Sequence, residues 1–171
     1  MGLLNVEVID NINAQIEGVI AYADNKTEVI NQKIAGNTAN AQEIINTEMD
    51  KLGEKITEKG NDIRDKAVDV LRAQYQTALE MIEPIEPLLN VSLSMDTIVS
   101  VVRSIIGIIT APYQPIIDFT TEVIPKVQEL GTNLQELATY QPNINAPEGV
   151  GVPSISINIE PITPADITGG Q

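Results

Sequence analysis

Residues 8–56 read VIDNINAQIEGVIAYADNKTEVINQKIAGNTANAQEIINTEMDKLGEKI, and apolar residues recur in them on an eleven-residue grid. Every eleventh residue from Val8 gives Val8, Val19, Ile30, Ala41, Leu52 and Ile63, a series broken by Gln74 and resumed at Ile85. A second register, Ile12, Ala23, Ile34, Ile45, Ile56, Ala67, Ala78 and Leu89, is apolar throughout. A third, Ile16, Thr27, Thr38, Met49, Gly60, Leu71, Ile82 and Leu93, is interrupted by two threonines and a glycine. The spacing within one repeat is four, four and three, which puts all three registers on one face of an α-helix. The stretch therefore predicts a long helix with a single buried stripe.

Eleven residues in three turns is about 3.67 per turn, close to the relaxed helix and on the opposite side of it from a heptad. Such a stripe suits nearly straight bundles or shallow right-handed coils. The expected fold class is all-α: a rod over 1–83, shorter apolar helices, an extended C-terminal arm, and an oligomeric bundle as the whole. At 1.5 Å per residue an unbroken rod would run for about 120 Å. Gly36, Gly53 and Gly60 weaken it, with Gly36 the preferred place for an interruption. Where Thr27, Thr38 and Gly60 interrupt the third register, the weakened seam leaves room for close backbone approach or trapped water.

Working outward, Pro84 and Pro87 end the rod, since two residues without a donor cannot both continue a helix. The division expected is 1–83 for the rod, 84–111 for a proline turn and an apolar helix, 112–140 for an amphipathic helix bent at Pro125, and 141–171 for the arm. Thr97 to Ala111 is apolar on nearly all sides, with Ser94 or Asp96 as its N-cap, and is too short and too interrupted by Arg103 to span a bilayer. In 112–140, Ile116, Phe119, Val123, Val127, Leu130, Leu134 and Leu137 make one stripe. The arm is rich in proline and glycine, yet Ser154–Glu160 alternates strictly, which predicts a short strand over 154–160 that must pair with something. Addition of this strand to a neighbouring chain through Ile155, Ile157 and Ile159 is the expectation.

Composition narrows the function. The 171 residues carry a net charge of −14, which opposes nucleic-acid binding and docking on anionic lipid. Cysteine and histidine are both absent, so no disulfide, thiolate site, imidazole base or imidazole ligand is available. No phosphate-cradling or calcium-loop pattern occurs, and catalytic, cofactor and metal residues are each expected to be none. Aromatic residues are only 3%, which favours narrow seams of Ile, Val, Leu and Ala. Lys51, Lys55 and Lys59 flank the stripe, as a solvated face or as register-setting charges.

These readings converge on a non-enzymatic structural protein, with homo-oligomers or other structural proteins as partners. Its predicted seam is Ile12, Ile30, Ile34, Ile45, Leu52, Ile56 and Ile63 of the rod, with Ile105 and Ile109 of the apolar helix. The architecture looks like that of components of large symmetric assemblies, phage virion or tail parts among them. The start of the chain lacks a basic, then apolar, secretory pattern, so the cytoplasm or an assembled particle is the expected place. The alternative is a lipid-interacting or pore-forming helical protein using the same amphipathic face.

Overall fold

The computed structural model describes residues 6–85, 93–108 and 113–169. It is mostly helical, with no strand among the described residues. Helix α1 spans Val6–Gly36 and α2 spans Ala41–Ile82. Then follow α3 (Met95–Ile105), α4 (Gln114–Asp118), α5 (Ile124–Ala138) and, in the arm, α6 (Pro164–Thr168). None of these is long and apolar enough to cross a membrane.

The single rod expected over 1–83 is corrected to two helices. Gly36 ends α1, Asn37 leaves helical geometry (φ −152°, ψ 69°), and a 3-10 turn at Thr38–Asn40 starts α2. The Asn37 amide donates to the Ile34 carbonyl at 3.2 Å and the Asn40 amide to Asn37 at 3.3 Å. Past this turn α2 returns along α1: Lys33 lies 3.2 Å from Glu48, and Ile30, Ile34, Ala41, Ile45 and Met49 form one buried cluster. The apolar grid survives the fold-back. Val19, Ile30, Ala41, Leu52 and Ile63 are buried, as are Ile12, Ala23, Ile34, Ile45, Ile56, Ala67 and Ala78, whereas Thr38 sits exposed in the turn. A stripe at this period runs nearly straight, so two segments of one chain can bury it without supercoiling. Each fully buried Ile or Leu contributes about 1.5–3 kcal/mol relative to exposure.

The chain forms two compact units, each assembled from distant stretches: residues 1–12, 65–132 and 161–171 in one, and 13–64 with 133–160 in the other. In the first unit the chain's only Phe meets a buried tyrosine. Tyr75 and Phe119 lie 6.0 Å apart at 50°, and the Tyr75 hydroxyl donates to the Leu93 carbonyl at 3.2 Å. Ser94 caps α3 by accepting from the Thr97 amide. The apolar helix expected to reach Ala111 gives way to turns after Ile105: Ile98, Val101 and Val102 are buried, but Ile106 and Ile108 are 46% and 72% exposed. Ile109 lies outside the described residues.

The helix expected over 112–140 is interrupted just before Pro125, and α5 begins at Ile124. A π-turn at Phe119–Val123 joins α4 to α5. Proline has no N–H and its ring crowds the carbonyl four residues back, here that of Thr121; a widened turn around that carbonyl accommodates both effects. The predicted stripe from Ile116 to Leu137 is buried at every position.

Candidate functional site

The second unit holds the most unusual arrangement, and it starts from the composition of the arm. Pro142, Pro147 and Pro153 keep residues 141–160 out of regular helix, and a segment that cannot bond to itself must find donors and acceptors elsewhere. Its one internal main-chain bond runs from the Val150 amide to the Pro147 carbonyl. The strand expected over 154–160 is corrected to an extended segment without a ladder partner. The alternation of Ser154–Glu160 reported an extended chain with one buried face, and that face lies on a helix.

Side chains of α1 and α2 take the place of a neighbouring strand. The Asn31 carboxamide donates to the Asn143 carbonyl at 3.0 Å and accepts from the Asn145 amide at 2.7 Å. Gln42 grips Gly151 in the same two-handed way, donating to its carbonyl at 2.8 Å and accepting from its amide at 2.9 Å. Further along α2, Thr57 donates to the Ser156 carbonyl at 3.5 Å and Asn61 to the Asn158 carbonyl at 3.1 Å. A carboxamide has both a donor and an acceptor at fixed separation, so it can imitate one rung of a β-ladder. The fastenings follow the chain in order, so the arm advances along α1 towards the turn and then along α2.

Apolar contacts set the depth of the arm. A Cβ placed on Gly60 would sit 2.1 Å from Ile159 Cδ1, and one on Gly53 would sit 2.9 Å from Ile155 Cγ2 and 3.4 Å from the Ser156 carbonyl. The two glycines are therefore notches that admit the arm. Ile159 is buried, and Ile155 and Ile157 are half-buried. At the start of the arm the Tyr140 hydroxyl donates to Asp24 at 2.9 Å and lies 3.1 Å from Thr27 Oγ1, which itself donates to the Ala23 carbonyl. Burial, together with the bond to Asp24 and its charge, holds the Tyr140 pKa above the ordinary value, and the Thr27 contact opposes this in part.

Beside the arm lies an open cleft of about 520 Å³ whose helical wall carries Asp50, Glu54 and Glu58. Among the described residues no group of three or more Asp or Glu side chains gathers as a metal site.

The predicted seam residues Ile12, Ile30, Ile34, Ile45, Leu52, Ile56 and Ile63 are each at most 5% exposed within the single chain. The chain's own elements fill the seam that was expected to receive another copy. Ile105 is half-buried at the end of α3. Of the flanking lysines, Lys51 lies 4.0 Å from Glu48, which Lys33 of α1 also reaches. Asn31, Gln42, Asn61 and Tyr140 were not singled out from the sequence. A signal existed: Asn31, Gln42 and Gly53 each follow a core residue of the first register, eleven residues apart.

No known protein family, no curated protein and no solved structure matches this chain.

Proposed function

We propose that the chain is a non-enzymatic structural protein that works as a component of a larger assembly, of the kind found in symmetric particles such as phage virions or tails. One observation carries this reading: the polar side chains of the helical pair converge on the main chain of an extended arm. Catalytic or small-molecule sites gather polar groups around a pocket. Here the groups form a line of fastenings, which suits joining segments of chain. The apolar stripe is buried within the single chain, which favours contacts with neighbours on outer surfaces and on the arm.

Sedimentation together with small-angle scattering, from micromolar concentration upward, tests this. The expected result is species heavier than the 18.5 kDa chain, growing with concentration or on adding partner proteins of the same particle. A monodisperse monomer under all these conditions overturns it. The lipid-interacting alternative rests on Ile106 and Ile108, the exposed apolar pair after α3. Flotation with neutral vesicles tests it, and failure to float removes it.

A further inference from the structure

We propose that the arm is exchangeable: the segment from Gln141 onward of one copy seats on the α1–α2 pair of a second copy, replacing that copy's own arm. This rests on the assembly reading above and names its partner as a second copy of this chain.

The first support is connectivity. Every fastening of residues 141–160 joins residues 97 to 114 positions apart in sequence: Asn31 to Asn143 and Asn145, Gln42 to Gly151, Thr57 to Ser156, and Asn61 to Asn158. Contacts so remote along the chain can be made identically in cis or in trans. The anchor further along the arm has the same character, since Arg72 donates twice to the Asp166 carbonyl, at 2.6 and 3.1 Å. From Gln141 onward the segment carries its own short helix, closed by the Thr163–Asp166 capping box.

The second support is charge. In a chain of net charge −14, residues 149–159 contain no charged side chain. They lie along a helical wall bearing Asp50, Glu54 and Glu58. An acidic segment would be repelled there, and an uncharged one with isoleucines spaced to meet Gly53 and Gly60 is accepted. The arm of another copy has both properties. The third support is the hinge: α5 ends at Ala138, and Gln141-Pro142 follows as a non-helical joint, with Gln141 exposed and Pro142 half-buried.

Because the chain has no cysteine, single cysteines report the exchange cleanly. Gly53→Cys chains and Ile155→Cys chains, whose side chains face each other across the seat, are refolded together at high concentration and oxidised. Exchange predicts a mixed disulfide dimer at several-fold the yield of either variant alone, and the double variant G53C/I155C closing the same bridge within one chain at low concentration. Mixed dimers no more abundant than homotypic ones overturn exchange; if larger species still sediment, the assembly reading stands without it. A second measurement holds even if that bridge closes poorly. The same fastenings exist in closed monomer and exchanged dimer, so N31A/Q42A leaves their ratio nearly unchanged and speeds interconversion after dilution by about tenfold or more. A fall in dimer fraction with no change in rate marks an ordinary interface and overturns the proposal.

Discussion

The helical pair and the arm lie against each other in one unit and are held by opposite means. In α1 and α2 the main-chain groups away from the helix ends bond to the next turn of their own helix, and side chains are left to pack. In the arm the main chain has almost nothing of its own, and side chains of the helices satisfy it. Removing a side chain from the pair therefore opens a hole, whereas removing one from the row of fastenings frees a stretch of backbone. The two regions divide packing from hydrogen bonding, and that division can be broken by substitution.

The largest effect is expected from Ile56→Ala. Ile56 is fully buried in α2, and truncation at such a site costs about 2–5 kcal/mol. Chemical denaturation should show a lower midpoint. A change below half a kcal/mol would mean that the stripe is not a tightly packed core.

Next comes a pair of glycines with opposite signs. Gly60→Ala gains helix propensity of about 1 kcal/mol but drives a methyl into Ile159, at an overpacking cost of about 1–3 kcal/mol. Gly18→Ala meets nothing within 4 Å and should gain most of the propensity term. Thermal melts of the two should move in opposite directions, and a stabilised Gly60→Ala would refute the notch.

Asn31→Ala and Gln42→Ala are each expected to cost about 1 kcal/mol. Their signature is local: faster hydrogen exchange at the amides of Asn145 and Gly151, with the amides of α1 and α2 unaffected. Uniform acceleration would show that arm and pair open as one body.

The smallest effect is expected at alkaline pH. Tyr140 has its folded pKa raised above the ordinary 10.0, so its contribution is intact below that value and declines as the pH rises through the folded pKa. Tyr140→Phe should flatten that part of the stability profile relative to the parent. An unchanged slope would remove Tyr140 from it.

Much of the helical architecture was legible because helix burial is periodic and local. The grid marked Ile30, Ile34, Ile45 and Leu52 as buried, and Gly36 as the weak point. The stripe could not say whether its partner was another chain or the same chain returning, since both present the same apolar face. The missing donor of Pro125 is legible in the sequence, whereas the π-turn at Phe119–Val123, with both of those residues buried, is not. The arm's mode of pairing is not legible in the sequence, for a definite reason. Alternation in Ser154–Glu160 records which side faces the core, and is silent on whether strand or side chain completes the backbone bonds. Asn31, Gln42 and Asn61 held that information, but a polar residue beside a helical stripe ordinarily means solvent.

The two-handed grip of Asn31 and Gln42 also bears on which positions are free to drift. These carboxamides touch peptide groups, which every residue type other than proline supplies in full. The side chains of Val152, Ser154, Ser156 and Asn158 are exposed and take no part in the fastening. Information about the arm's seat is therefore written mainly in the helices and in the arm's apolar residues Ile144, Ala146, Val150, Ile155 and Ile159, whereas those four exposed positions can accept new residues, or a grafted label, without rewriting it.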